Sequence, residues 1–226
     1  MLPQAWRDVD LAEGVATMSA QLTVGDALDL LPAPPYQHTF TSLPDMAEMG
    51  LEYDAWRSWF TLALEHVFDI TDGYTILYQT DRRHDGHLVS KATLATSVAW
   101  EDNVELRWHK IAIAHLGTDL RRPTYSHLMC FSRRGGPGLA TPDVYMQGPK
   151  LYANGIDSRS CDLGLHFLGT KHATAVADPF CGRGTILAHA QQAGLDVYGN
   201  DIDPEQIRHA RQLLALATLF PQEAQS

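Results

Sequence analysis

The apolar positions of this chain follow two rhythms. Short runs rich in β-branched and aromatic residues, at 21–24, 38–41, 74–78, 104–115, 124–132, 173–177 and 196–200, read as strands. Between them lie stretches with helical spacing. The clearest runs from Tyr53 to Phe68, where Trp56, Trp59, Phe60, Leu62, Leu64 and Val67 oppose Glu and Arg side chains. These aromatics read as core rather than as a platform for stacking bases. Further helices are predicted from about Leu88 to Ser97, from a cap at Asp157 or Ser158 to Leu168, from Thr185 to Ala193 with Gly194 as the stop, and after Pro204. Pro32 to Pro35 and Gly135 to Gly148 read as loops. Residues 1–19 are an irregular lead-in or a short helix, set apart from one α/β domain over 20–226.

Composition narrows the class. At 226 residues the chain suffices for one large domain, and 45% hydrophobic with 19% charged residues is ordinary for a globular protein. No apolar run reaches the roughly 18 residues of a membrane span, and the N-terminus has no signal-peptide pattern, so a cytoplasmic location is the default. Three cysteines, Cys130, Cys161 and Cys181, suggest neither a disulfide framework nor a zinc site, and the eleven histidines lack metal-ligand spacing, so no metal is expected. The formal charge of −10 disfavours non-specific adhesion to nucleic acid but leaves room for a local basic face.

The most informative stretch is 174–211. An apolar strand is broken at Asp178-Pro179, Gly182-x-Gly184 follows, a helix opens at Thr185, and a second strand delivers Asp201 to its carboxyl end. The glycines let the backbone approach a ligand, and Asp201 is placed to accept hydrogen bonds from ribose hydroxyls. Cys181 in this turn reads as a small packing residue.

Asp178-Pro179-Phe180-Cys181-Gly182-Arg183-Gly184-Thr185 resembles motif I, and Gly199-Asn200-Asp201-Ile202-Asp203 motif II, of class I S-adenosylmethionine (SAM) methyltransferases. The stretch is especially similar to the tRNA guanosine-N2 enzymes, and its DPF opening also occurs in DNA amino-methyltransferases. The resemblance implies a Rossmann-like, seven-stranded, mostly parallel sheet with an antiparallel closing hairpin, SAM as cofactor and S-adenosylhomocysteine as product. It implies that Asp178, Pro179, Phe180, Cys181, Gly182, Gly184 and Thr185 wrap the methionine part, and that Asp201 with Ile202 holds the adenosine. Only 25 residues follow Asp201. The other strands therefore precede motif I, as in the circularly permuted N6-adenine and N4-cytosine enzymes. In that order Gly25-Asp26-Ala27 is motif III, with Asp26 either accepting from the adenine amino group or forming a turn. Trp108-x-Lys110 and Tyr125-Ser126-His127-Leu128 resemble the closing hairpin.

Motif IV departs from the family pattern [D/N/S]PP[Y/F/W]: Ser42, Leu43, Pro44 and Asp45 stand there. Ala33-Pro34-Pro35-Tyr36 is rejected, since no strand precedes it and Ala accepts no proton. Ser42, Pro44 and Asp45 are the catalytic candidates, with Asp45 a general base or an exposed loop carboxylate. Lys91 or Lys110 beside Asp45 would resemble a ribose 2′-O-methyltransferase site. Arg82, Arg83, Arg121 and Arg122 are read as phosphate contacts or as solvated turn charges, and Arg133-Arg134 as lying at the far end of the sheet. The favoured substrate is RNA, tRNA or rRNA, without a separate target-recognition domain. DNA amino-methylation, a small-molecule acceptor and a non-catalytic SAM-binding module are the alternatives, and a homodimer or activating partner is left open.

Overall fold

The computed structural model describes residues 19–219 except 33, 118–122 and 137. Arg121 and Arg122, and the lead-in 1–18, thus lie outside the described residues. Among the described residues ten strands occur, in chain order: β1 (Ala20–Val24), β2 (Thr39–Thr41), β3 (Thr75–Gln79), β4 (Arg82–His84), β5 (His87–Val89), β6 (Glu105–Ile113), β7 (Tyr125–Ser132), β8 (Val144–Met146), β9 (Ala175–Asp178) and β10 (Asp196–Asp201). Six helices join them: α1 (Met46–Met49), α2 (Tyr53–Asp69), α3 (Lys91–Glu101), α4 (Ser158–Gly169), α5 (Thr185–Gln192) and α6 (Pro204–Leu219).

Eight strands form one sheet in the order β1-β10-β9-β2-β3-β7-β6-β8, and β4-β5 is a separate hairpin. Pairings from β1 across to β3 are parallel, β7 runs antiparallel to both neighbours, and β8 is parallel to β6. Helices cover both faces of the central strands, so β2, β3 and β9 are buried almost throughout, whereas the edge strand β1 is largely exposed. On one face α4, α5 and α6 pack Phe167, Leu168, Ile186, Leu187, Ile207 and Leu214 against Phe40, Ile76 and Val176. On the other, α2 and α3 pack Trp56, Phe60, Leu64, Ala95 and Val98 against Leu77, Met129 and Phe131.

Two expectations are corrected, and one element is added. The sheet has eight strands, not seven, because β8 forms inside the supposed loop 135–148 by pairing with Ile111 to Ile113 at the edge. The stretch after β3 is a hairpin, turned by Asp85 and Gly86 at φ 47° and 78°. The next helix therefore opens at Lys91 behind the Ser90 cap, not at Leu88.

Helix α4 crosses the sheet at close range because of one missing side chain. A Cβ on Gly164 would stand 2.5 Å from Phe40 Cε1 and 2.9 Å from Cζ, and Phe40 is fully buried. Gly→Ala normally favours a helix by up to about 1 kcal/mol. Here we expect Gly164→Ala to cost about 1–3 kcal/mol by overpacking, read as a lower urea midpoint.

Candidate functional site

Parallel strands bring their carboxyl ends to one edge, and three loops meet there. β9 ends at Asp178, and the turn Pro179–Gly184 leads into α5 with Gly182 and Gly184 at φ 51° and 80°, where glycine costs least. Gly184 also permits close approach of α6: an added Cβ would lie 2.9 Å from Ala210 Cβ. Beside it, β10 ends at Asp201. Its Oδ2 accepts from the Gly182 amide at 2.9 Å and its Oδ1 from the Asp203 amide at 2.9 Å. Burial raises the Asp201 carboxyl above its ordinary range, while these two amides oppose the rise. The loop after β1 closes the third side: the Gly25 amide donates to the Asp201 carbonyl at 3.1 Å.

Asn200 fastens the three loops. Its Nδ2 donates to the Gly25 carbonyl at 2.9 Å and the Pro179 carbonyl at 3.4 Å, and its carbonyl accepts from the Cys181 amide at 2.9 Å. Asp26, exposed, accepts from the Leu28 amide at 3.0 Å and so serves its own turn. Phe180 stands edge-on to Trp59 at 5.7 Å between ring centroids, and Ile202 is 69% exposed on the rim. Tyr152, from the segment before α4, leans over the turn. The Arg183 guanidinium lies 5.1 Å from its ring centroid, and its hydroxyl nears the buried Thr185 hydroxyl without hydrogen-bond geometry. Cys181 is buried, which pushes its thiol far up and leaves it inert. Sequence reasoning misses Asn200 and Tyr152. Asn200 lies within the motif II stretch, but that resemblance assigns no role to its side chain, and only the fold brings Tyr152 to the turn.

Asp178 is the buried floor. Its Oδ1 accepts from the Thr41 hydroxyl at 2.6 Å and the Phe180 amide at 3.2 Å. Burial pushes its pKa up to about 7, against the pull of those two bonds.

The Ser42–Asp45 loop follows β2, next to β9. Ser42 is half-buried, and its hydroxyl has no partner among the described residues. The next two carbonyls are engaged: Leu43 accepts from Gln79 Nε2 at 3.3 Å and Pro44 from Trp56 Nε1 at 3.1 Å. Asp45 is neither free nor a simple loop acid. It caps α1 in a capping box with Glu48, accepts from Arg82 Nη1 at 3.0 Å, and has Lys91 Nζ 3.7 Å from Oδ2. Both oxygens of this carboxylate are thus engaged, by two cations and a helix start. Lys91 is buried, which lowers its pKa, while Asp45 pulls the other way.

Lys110 does not reach this loop, and its place in the candidate substrate set is corrected. With Trp108 and Ala112 it points to the α4 side of the sheet, where Nζ donates to the Thr141 carbonyl at 2.8 Å and Asp143 Oδ1 at 3.2 Å. Arg83 is exposed on the β4–β5 hairpin, whose His84 stacks on Tyr53 at 5.7 Å. Arg133 and Arg134 bind Asp69 and Asp72 at the opposite end of β7. Among the described residues no cluster of His, Cys, Asp or Glu is arranged for a metal ion, and no helix is long and apolar enough to cross a membrane.

No protein-family model matches the chain, and no curated protein matches it in sequence. Its fold is nevertheless that of solved methyltransferase structures. TTHA0409, a Thermus thermophilus protein assigned as a DNA modification methylase, aligns at TM-score 0.69 and 17% identity over 88% of this chain and 95% of that one. Its complex with SAM gives 0.67 and 16% over 88% and 94%. The cytosine-N4-specific PvuII DNA methyltransferase gives 0.63 and 14% over 86% of each chain. These names refer to DNA, so the tRNA likeness of residues 178–203 has no counterpart in them.

Proposed function

We propose that the protein is a SAM-dependent methyltransferase whose acceptor is an amino group of a DNA base. The observation that carries the cofactor reading is the Asp201 carboxylate at the carboxyl end of β10, joined to the Gly182 amide of a positive-φ turn. The residues fit the cofactor. Above Gly182 an added Cβ would meet only the Tyr152 hydroxyl, at 3.9 Å, so the backbone is open to a ligand. Asp201 would take the ribose hydroxyls, with Ile202 and Asp26 about the adenine. The turn from Asp178 to Thr185, under Tyr152, would take the methionine part. When bound, SAM supplies a methyl group already activated on a sulfonium.

The remaining work of this chain is to hold the acceptor. Ser42 offers the free hydroxyl beside the cradle, and Gln79 and Trp56 fix the Leu43 and Pro44 carbonyls. Asp45, Arg82 and Lys91 form the scaffold under that loop, and Arg83 is the exposed cation for a phosphate. Support for DNA over the RNA expected from the motif resemblance comes from the names of the similar proteins. The late position of β9 and β10 in the chain supports the circularly permuted order. A second reading, a non-catalytic SAM-binding module, is favoured by the engaged Leu43 carbonyl and Asp45 carboxylate.

Radiolabelled SAM offered with DNA, tRNA, rRNA and a metabolite extract separates these readings. Label in DNA supports the proposal, label in RNA or metabolites overturns the acceptor, and SAM binding without transfer supports the module. For the cofactor, Asp201→Ala removes a charged acceptor worth about 1.5–3 kcal/mol, so SAM affinity by calorimetry should fall about 10- to 100-fold. Unchanged affinity would refute the role of Asp201.

A further inference from the structure

A second site lies away from the cradle, on the outer flank of α3. Thr93, Thr96, Ser97, Trp100 and Glu101 of that helix and His109 of β6 line an open cleft of about 570 Å³. Trp100 is 83% exposed, which is unusual for the costliest apolar side chain to leave in water.

The chemistry of His109 is set from behind by a buried chain. Asp81 is 3% exposed and accepts from the Lys91 amide at 2.8 Å. Burial alone would raise its carboxyl, but the His127 imidazole and the backbone amides outweigh that and keep it ionised. His127 Nε2 stands 3.1 Å from Asp81 Oδ2, off the ideal hydrogen-bond direction, and His127 Nδ1 is 2.8 Å from His109 Nε2. An ionised Asp81 draws the His127 proton to Nε2. That leaves Nδ1 as the acceptor, so His109 donates from Nε2 and keeps a lone pair on Nδ1. Burial lowers the His109 pKa, which favours the neutral ring.

The cleft therefore offers an indole face, the Glu101 carboxylate and an imidazole lone pair, and neither Lys nor Arg is among its lining residues. Its surroundings are acidic: Glu101, Asp102 and Asp69 reinforce the upward shift that burial begins at Glu65 on α2. Such a field repels phosphates and attracts a cation. Beyond His109 the same sheet face continues through Ile111 and Ile113, whose register partners Val144 and Met146 are 54% and 44% exposed.

We propose that this cleft is a docking site for an arginine side chain of a partner polypeptide. A guanidinium stacks on Trp100, pairs with Glu101 and donates to His109 Nδ1; an ammonium lacks the planar fork to do all three. The apolar strip along β6 and β8 takes the residues flanking that arginine. This docking is independent of the reaction assigned to the cradle.

The test is a titration of the ¹⁵N-labelled full chain, following the Trp100 indole N–H, assigned through Trp100→Phe. N-acetyl-arginine methylamide should shift this resonance and the lysine analogue should not. A peptide carrying one arginine between apolar residues should bind about 10-fold more tightly than the amide. Read by calorimetry, because the alanine variant lacks the indole reporter, Trp100→Ala should weaken that peptide at least about 10-fold and Glu101→Gln several-fold. Equal response to lysine, no response to arginine, an oligonucleotide shifting the resonance instead, or unchanged affinity in both variants would overturn the site. A peptide no tighter than the amide would overturn the polypeptide partner.

Discussion

Trp56→Ala should remove about 3–5 kcal/mol of stability, the range for a buried tryptophan whose neighbours cannot fill the space. Trp56 is fully buried, with Phe60 at 5.1 Å between ring centroids and Lys91 Nζ 5.7 Å from its ring. Its indole also donates to the Pro44 carbonyl. Trp56→Phe separates the two contributions. It keeps most of the apolar volume and loses the donor, so it should cost about 1–2 kcal/mol while freeing the Ser42–Asp45 loop. Urea denaturation checks both figures. An alanine variant within about 1 kcal/mol of wild type would mean that α2 does not seal this face of the sheet.

Asp178→Asn should stabilise the protein in alkaline solution and not in acid. The folded state holds the Asp178 proton with a pKa of about 7, against an ordinary 3.8. Between those values the folded state carries a proton that the unfolded chain lacks, so stability falls as pH rises through about 7. Below the ordinary value both states are protonated, and the contribution is fully present. Asparagine stays neutral throughout and keeps Oδ1, which accepts both existing hydrogen bonds. The advantage of the variant should therefore be negligible below about pH 3, grow steadily between about pH 4 and 7, and level off at on the order of 4 kcal/mol above pH 8. That corresponds to roughly 8–16 °C in Tm for a chain of this size. A Tm difference independent of pH would show that Asp178 is ionised throughout.

Local rhythm makes most of the framework legible. The α2 stripe and the strand, turn and helix series through residue 211 are encoded within windows of a few residues, and the structure keeps them. β8 is hidden because three residues in a Gly- and Pro-rich stretch become a strand only by pairing with β6, some thirty positions away. The β4–β5 hairpin does carry a signal, Asp85-Gly86, which suits two successive positive-φ positions but sits among polar residues without the apolar alternation that marks a strand. At the site, the cradle residues Asp178 to Thr185 and Asp201 share one local segment, so spacing exposes them. The ties of Asp45 to Arg82 and Lys91 join β2, β4 and α3, which no spacing reveals. Lys110 misleads for a related reason. Alternation on β6 fixes which residues share a face, but only the packed helices decide which face that is.

The placing of β9 and β10 has a consequence for how the molecule comes into being. β1 and β2 are neighbours along the chain, yet in the sheet they are separated by two strands from its last quarter. Ala20 lies against Val197, and Thr39 against Ala177. On a ribosome, the edges of β1 and β2 wait without their partners until nearly all the sequence has emerged. Contacts of such long sequence separation make folding slow, because the loop they close must be ordered before they repay it. The nascent chain is thus exposed to aggregation for longest at the strands that flank the future cradle.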